Sequence, residues 1–94
     1  MQVGVTGSSG FLGSHLTSAL HLLTDFEVTT LKRSSSKRFP EISELKSFIK
    51  NLDLIYHVGG VNRGTSEEIF EGNIQATFNL IEAIRKYGNS SPRI

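Results

Sequence analysis

The first thirteen residues, MQVGVTGSSGFLG, constrain the fold of this chain more than any other stretch. Two valines at alternate positions predict one short buried strand at 2–6. Three glycines then follow at three-residue spacing, Gly7, Gly10 and Gly13, and a helical pattern begins after them. A strand, a glycine turn and a helix in this order present free backbone N–H groups and a helix N-terminus to an anion.

Each glycine of the turn is expected to have a separate physical role. Gly7 permits a tight turn, Gly10 lets the backbone approach a pyrophosphate, and Gly13 lets the helix pack closely on the strand. The spacing differs by one from the G-x-G-x-x-G fingerprint. A strand-to-helix turn that needs positive φ and binds nothing is therefore an alternative. The position directly after a strand and at the start of a helix favours a dinucleotide site.

Composition narrows the class of protein. The chain has 94 residues, of which 37% are hydrophobic and 20% are charged, and this predicts one soluble α/β domain over residues 1–94. The net charge of +1 argues against a nucleic-acid partner, and no membrane partner is expected. With no cysteine, and with histidines that lack ligand spacing, the sequence predicts no metal site. No signal peptide is visible, so we expect a cytoplasmic location.

The first helix is predicted from about Phe11 to Leu23, and a second strand follows it at 26–31. In this strand β-branched and aromatic residues predominate. A strand–helix–strand connection of this length predicts parallel strands joined by a right-handed crossover. One face of the first helix carries the apolar residues Leu12, Leu16, Ala19, Leu20 and Leu23.

A basic, serine-rich segment at 32–38 follows the second strand and holds four cations and three hydroxyls but no acid. In a dinucleotide-binding fold, an Asp or Glu at this point accepts hydrogen bonds from the adenosine ribose. Glu27 lies at the opposite end of the strand, so the segment favours a 2′-phosphate, and therefore NADP over NAD. A solvated loop without a ligand is the alternative. The residues expected at the phosphate are Lys32, Arg33, Ser34 and Lys37.

An amphipathic helix rather than a strand is predicted between residues 38 and 51, because Pro40 disfavours a central strand. Asp53 to Val58 form the next strand, and two glycines follow it. Small residues there let the backbone approach a ligand beside the first glycine turn. For His57, a hydrogen-bonded core histidine is commoner than a catalytic one. The amphipathic helix predicted before this strand is marked by Ile42, Leu45, Phe48, Ile49 and Leu52.

Thr65 and Glu68 form a capping-box pattern for a last helix at 66–87, and Gly88 is suited to end it. Asn73 near the start of this helix is expected to point to solvent. The three predicted strands then form a parallel sheet with the first strand in the middle. One face of the helix carries Phe70, Ile74, Thr77, Ile81 and Ile84.

Three segments resemble the N-terminal half of an extended short-chain dehydrogenase/reductase, and together they extend over most of the chain. They are TGSSGFLGSHL at 6–16, DLIYHVGGVN at 53–62 and GNIQATFNLIEAIRK at 72–86. They are most similar to the NAD(P)-dependent epimerase/dehydratase enzymes, which act on nucleotide sugars. The resemblance implies a Rossmann-type three-layer α/β fold with a parallel sheet, of which this chain holds the N-terminal half.

The resemblance also implies residue roles in binding a dinucleotide cofactor, NADP or NAD. Backbone groups of Phe11 and Leu12 would contact the pyrophosphate, and Asn73 matches an asparagine of the active-site hydrogen-bond network. Glu41 matches an acid that contacts the adenine amino group, and Lys32 stands where NAD-dependent members carry an Asp. The family usually has two alanines where this chain has glycines after the third strand. The implied cofactor-binding residues are Gly7, Ser9, Gly10, Phe11, Leu12, Gly13, Lys32, Arg33, Ser34, Lys37, Val58, Gly59 and Gly60.

The family's catalytic pattern, a Ser or Thr followed by Tyr-x-x-x-Lys, has no match in this sequence. Tyr56 is followed four residues later by Gly60, and Tyr87 by Ser91. We therefore expect the N-terminal fragment of a nucleotide-sugar epimerase, dehydratase or reductase, which binds the cofactor without turning over substrate. A non-catalytic dinucleotide-binding sensor or scaffold is the alternative. The free edge of the strand at 53–58 further predicts self-association.

Overall fold

The computed structural model describes residues 1–31, 39–60, 64–88 and 92–94. Strands and helices alternate along the chain, in the predicted positions. They are β1 (Gln2–Thr6), α1 (Phe11–Leu23), β2 (Glu27–Thr30), α2 (Ile42–Phe48), β3 (Leu54–His57) and α3 (Ser66–Tyr87). Within these described ranges no helix is long and apolar enough to cross a membrane, and no cluster of His, Asp and Glu is arranged to hold a metal ion.

The three strands form one parallel sheet in the order β2-β1-β3. β1 pairs with β2 from Gln2↔Glu27 onward and with β3 from Val3↔Leu54 onward. Glu27 lies at the start of β2, where its Oε2 accepts a hydrogen bond from Gln2 Nε2 at 2.6 Å. The predicted strand direction and order are therefore confirmed, and Glu27 is at the end of the sheet away from the glycine turn.

Side chains on the two faces of the sheet form two hydrophobic clusters. On one face, Val3 and Val5 pack with Leu20 of α1. On the other face, Ile55 packs with residues of α2 and α3, among them Leu80. Because alternate strand residues point to opposite faces, the sheet lies between α1 on one side and α2 with α3 on the other. The three-layer arrangement expected from the sequence is confirmed.

Gly4, in the middle of β1, lets α2 and the segment after it pack directly on the sheet. A Cβ at Gly4 would lie 2.5 Å from Leu52 Cδ1 and 2.8 Å from Phe48 Cζ. Any larger residue would push both aromatic and aliphatic neighbours out of a close-packed core. The sequence assigned no role to Gly4, because a glycine between two valines carries no signal about neighbours in another layer.

The apolar faces predicted for the long helices are only partly the buried ones. In α1, Leu20 is buried, whereas Leu12 is 65% exposed and Leu23 is 81% exposed. In α3, Phe70 and Ile74 of the predicted face are exposed. Apart from Leu80, smaller residues of α3 face the core instead, and they let the helix approach its neighbours closely. The buried residues of α3 are Gly72, Ala76, Asn79, Leu80 and Ala83.

Asn79 fixes the rotation of α3 by polar contacts. It is 6% exposed, and its Nδ2 donates to the Pro40 carbonyl oxygen at 2.9 Å. Its Oδ1 accepts a hydrogen bond from Gln75 Nε2 at 2.7 Å. A buried amide without partners would be destabilising, and the bond to Pro40 ties α3 to the segment that leads into α2.

The outer edge of β3 is partly covered rather than free. Ile55 N donates to the Arg93 carbonyl oxygen at 2.7 Å, and Arg93 N donates to the Asp53 carbonyl oxygen at 3.1 Å. This makes a parallel bridge between Leu54 and Arg93. The expectation that every backbone group on this edge is unpaired is therefore wrong, because the chain returns to it at Arg93. Self-association through this edge stays a prediction.

Candidate dinucleotide-binding cleft

A cleft of about 520 Å³ opens at the carboxyl ends of β1 and β3. One side is the turn between β1 and α1, residues 7–13, here called the glycine-turn wall. The other is the strand-end wall, residues 57–60, which follows β3. Because β2 and β3 lie on opposite sides of β1, the cleft is at the point where the strand order reverses. Leu31, Pro40 and Ala76 also line it.

Backbone geometry fixes the glycine-turn wall. Gly7 has a φ of +70°, and a Cβ there would lie 2.6 Å from Gly59 Cα. Gly10 N donates to the Gly7 carbonyl oxygen at 3.1 Å and so closes the turn. A Cβ at Gly13 would overlap that same Gly7 carbonyl oxygen. The fold alone therefore requires glycine at Gly7 for the turn and at Gly13 for close packing.

Gly10 differs from the other two glycines of the motif. Its φ of −78° and ψ of 173° are extended values open to any residue. The nearest atom to a Cβ placed there is the Gly7 carbonyl oxygen at 3.5 Å, an ordinary contact. Gly10 is the N-cap of α1 without a side-chain cap, and the first turn of the helix holds no acid. The fold does not require glycine here, and an added side chain would occupy the cleft.

Side-chain hydrogen bonds hold the strand-end wall. Thr6 Oγ1 accepts a hydrogen bond from Gly59 N at 2.9 Å and lies 2.8 Å from His57 Nδ1. His57 Nε2 lies 3.1 Å from Thr77 Oγ1 of α3. Burial lowers the pKa of His57 below its ordinary value of 6.5, so the ring is neutral near pH 7. His57 is thus a hydrogen-bonded histidine, as the simpler sequence interpretation predicted.

Asn73 lies beside the strand-end wall. The residue is exposed, as expected, but a Cβ placed on Gly60 would be only 2.5 Å from Asn73 Oδ1. Glycine at this point therefore leaves room for a polar side chain of α3 next to the cleft. The active-site role that the family resemblance implies for Asn73 stays a prediction.

The cleft brings together the predicted cofactor-binding residues of both walls. They are Gly7, Ser9, Gly10, Phe11, Leu12, Gly13, Val58, Gly59 and Gly60. The predicted phosphate contacts of the basic segment, Lys32, Arg33, Ser34 and Lys37, lie outside the described residues. Leu31 directly precedes this segment, is buried, and lines the cleft.

The acidic segment at the start of α2 serves as a helix cap. The Glu41 side chain accepts a hydrogen bond from the Glu44 backbone N–H, and Glu44 Oε1 accepts one from Glu41 N at 3.3 Å. Glu41 lines a neighbouring pocket with Asn79 and Tyr87 rather than the cleft itself. Its contact with an adenine amino group stays a prediction.

No pattern in the sequence predicted a role at the cleft for Thr6 or Thr77, the two hydroxyl partners of His57. Thr6 is the last residue of β1 and directly precedes Gly7, so a small polar residue at the strand end was one available signal. Thr77 lies one helical turn after Asn73, which places both residues on one face of α3. Neither signal identifies the partner on β3, because that contact joins residues twenty or more positions apart.

A family model matches nearly the whole chain. The model of the NAD dependent epimerase/dehydratase family covers residues 3–92, and this chain belongs to that family. A UDP-2-acetamido-2,6-beta-L-arabino-hexul-4-ose reductase from Pseudomonas aeruginosa is 38% identical over 93 residues. That match covers 98% of this chain and 24% of the reductase, so the chain spans about a quarter of the relative's length.

Solved structures of lower sequence identity share the fold. UDP-glucuronic acid 4-epimerase from Bacillus cereus, in complex with NAD, has a TM-score of 0.68 at 21% identity, over 95% of this chain and 37% of its own. Uronate dehydrogenase from Agrobacterium tumefaciens has a TM-score of 0.65 at 24% identity, over 92% of this chain and 36% of its own. The Rossmann-type α/β fold expected from the sequence is therefore confirmed.

Proposed function

We propose that the cleft binds a dinucleotide cofactor, NADP or NAD. Gly10 carries this proposal, because this chain has glycine at a position where the fold has room for a side chain and uses no positive φ. Gly10 lines the cleft at the N-terminus of α1, so a Cβ there would compete only with a ligand. Membership of a family named for NAD dependence supports the same cofactor class.

Both walls of the cleft suit such a cofactor. A pyrophosphate is anionic and fits the first-turn N–H groups of α1, which have no side-chain cap and no acid in the same turn. Backbone groups of Ser9, Phe11 and Leu12 would hold the pyrophosphate, and the glycines of the strand-end wall would lie along the ribose. A bound cofactor of this class accepts a hydride from, or donates one to, a substrate carbon.

For the choice between the two cofactors, we propose NADP. The basic segment at 32–38 directly follows Leu31, which lines the cleft. Two cations at a 2′-phosphate contribute on the order of 1–2 kcal/mol, roughly tenfold in affinity. Two structural neighbours hold NAD, so calorimetric titration should compare both cofactors. Arg33→Ala should remove most of the difference and leave NAD affinity nearly unchanged; equal affinities in the unaltered chain would overturn the preference.

For the whole protein, we propose an epimerase, dehydratase or reductase that acts on a nucleotide sugar. The P. aeruginosa relative and the B. cereus epimerase are both named for UDP-linked sugars. The 94 residues contain no Tyr-x-x-x-Lys, so this chain by itself should bind the cofactor without turnover. A turnover assay with UDP-sugars and cofactor tests whether the chain by itself is inactive. Measurable product from the chain alone would contradict this expectation.

Gly10→Val is the central test of the cofactor site. Valine adopts the extended backbone of Gly10, so the circular dichroism spectrum should match that of the unaltered chain. Cofactor affinity should fall at least about tenfold, because a branched side chain would occupy the cleft. Ser18→Val, at an exposed position of the same helix, is the matched control and should bind normally. Normal binding by Gly10→Val would place the pyrophosphate elsewhere.

Gly10→Asp should change cofactor affinity and stability in opposite directions. Aspartate is a better N-cap than glycine and complements the helix dipole, so unfolding should require about 0.5 kcal/mol more free energy. Its charge would repel the pyrophosphate, so cofactor affinity should fall. Chemical denaturation and calorimetry measure the two quantities on one sample. A rise in both would contradict an anion site at this turn.

A further inference from the structure

The hydrogen bonds of Thr6 determine which nitrogen of His57 carries the proton. Thr6 is 3% exposed, and its Oγ1 already accepts the Gly59 N–H. A threonine hydroxyl also has one proton to donate. Among the described residues, His57 Nδ1 at 2.8 Å is the partner that can accept it. A buried hydroxyl proton left without an acceptor would be destabilising, so Thr6 donates to Nδ1.

The remaining ring nitrogen extends these contacts to Thr77, and the hydrogen bonds from Thr77 through His57 to Thr6 are here called the relay. When Nδ1 accepts, the proton of a neutral imidazole lies on Nε2. His57 Nε2 lies 3.1 Å from Thr77 Oγ1, which can accept that proton. Burial lowers the pKa of His57, which favours this neutral form. The opposite tautomer would direct a second N–H at the Thr6 oxygen and leave the hydroxyl proton unpaired.

We propose that His57 is a positioning residue for the cleft, which as the Nε2–H tautomer orients the Thr6 hydroxyl so that it holds the Gly59 N–H. Gly59 in turn lies against the glycine-turn wall, since a Cβ on Gly7 would be 2.6 Å from Gly59 N. Five residues on three elements and the two walls therefore form one contact chain, from Thr77 through His57 and Thr6 to Gly59 and Gly7. The effect on cofactor affinity rests on the proposed function, whereas the tautomer does not.

Nuclear magnetic resonance of the unaltered chain tests the tautomer without any cofactor. Long-range ¹H–¹⁵N correlation of the His57 ring at pH 7.5 should show an unprotonated Nδ1 and a protonated Nε2. The result needs no variant and does not depend on whether the cleft binds a dinucleotide. A proton on Nδ1, or equal populations of the two tautomers, would overturn the inference.

Two substitutions at His57 test the positioning role. His57→Phe keeps a ring of similar shape but removes the acceptor for Thr6. The Gly59 amide proton should then exchange with solvent roughly tenfold faster, and cofactor affinity should fall by a similar factor. His57→Asn places a carbonyl oxygen near the Nδ1 position and should restore both quantities to within about threefold.

His21→Phe is the matched control, because His21 is exposed on α1 and takes no part in the relay. It should leave the Gly59 exchange rate and the affinity unchanged. Equal effects of Phe and Asn at His57 would show that the ring only fills space and would overturn the positioning role. If the unaltered chain binds neither cofactor, the proposed function fails, and the exchange rate of Gly59 still decides the relay.

Discussion

The two walls of the cleft are held in place by different kinds of interaction. The glycine-turn wall takes its shape from its own backbone, through a positive φ at Gly7 and the packing of Gly13 on the Gly7 carbonyl. The strand-end wall is extended chain, held by side chains that reach it from β1 and α3. One wall is therefore specified by residues within one turn, and the other by partners distant in sequence.

This difference determines which changes each wall can tolerate. At Gly7 and Gly13 of the glycine-turn wall an added methyl group meets backbone atoms, which cannot move without altering the turn. In the strand-end wall a side chain at Gly60 meets the end of Asn73, which can rotate. We therefore expect the first wall to be sensitive to side-chain volume, and the second to be sensitive to the loss of hydrogen bonds.

The largest effect is expected for Gly13→Ala. Alanine would favour the helix by about 1 kcal/mol over glycine, but its Cβ would overlap the Gly7 carbonyl oxygen. Overpacking against backbone should dominate and reduce the free energy of unfolding by about 2–3 kcal/mol. Urea denaturation measures this loss. Ser18→Ala, at an exposed position of α1, is the control and should be neutral or slightly stabilising. An unchanged or higher free energy of unfolding in Gly13→Ala would refute the close packing.

Gly7→Ala should rank second. A side chain at a φ of +70° costs roughly 1–2 kcal/mol, and this Cβ would also press on Gly59. The matched variant is Gly10→Ala, where φ is −78° and the nearest atom is 3.5 Å away. Its cost should stay below about 1 kcal/mol, the range for a lost N-cap preference. Equal midpoints of denaturation for the two variants would mean that strain does not distinguish these glycines.

A pH dependence is expected from the strand-end wall. The pKa of His57 is lowered by burial in the folded chain and is near 6.5 in the unfolded one. Between these two pKa values the unfolded state binds more protons, so stability falls as the pH drops below about 6.5 and levels off below the folded pKa. Above pH 6.5 this contribution is fully present.

Denaturation midpoints measured at a series of pH values from pH 8 downwards give the slope of stability against pH. His57→Asn should remove part of it while keeping the acceptor for Thr6. His21→Asn, at an exposed position, should retain the slope seen in the unaltered chain. A slope that is identical in all three chains would show that the protonation of His57 is not linked to folding.

The smallest effect is expected for Gly59→Ala. A Cβ there would lie 3.1 Å from both Gly7 N and Thr6 Oγ1, so the walls must separate by a few tenths of an ångström. The free energy of unfolding should change by less than about 1 kcal/mol. A loss above about 2 kcal/mol in the same denaturation assay would mean that both walls are equally intolerant of volume.

Much of the fold followed from local patterns in the sequence. The bounds of β1, α1 and α3 agree with prediction, and both hydrogen bonds of the Thr65–Glu68 capping box are present. The Gly7 turn was also predictable, because a positive φ and a strand-to-helix transition depend on a few adjacent residues. Side chains that face another layer were not predictable in the same way.

The packing face of α3 shows why. Phe70 and Ile74 give the stronger apolar pattern, yet they are exposed, and the buried residues include Ala76 and Asn79. Close approach favours small side chains, and the bond from Asn79 to Pro40 selects the rotation of the helix. Apolar spacing contains no information about that partner.

The sequence by itself determined that a strand, a glycine turn and a helix follow one another in this order, because spacing and backbone conformation act within a single turn. It also determined family membership, through motifs spread along the chain. Only the tertiary structure decided that Gly10, unlike Gly7 and Gly13, has room for a side chain, and that Thr6 and His57 hold the opposite wall. The space at Gly10 depends on how the turn is placed in three dimensions. The hold on the opposite wall joins atoms more than fifty positions apart in sequence, which meet only when parallel strands bring their carboxyl ends together.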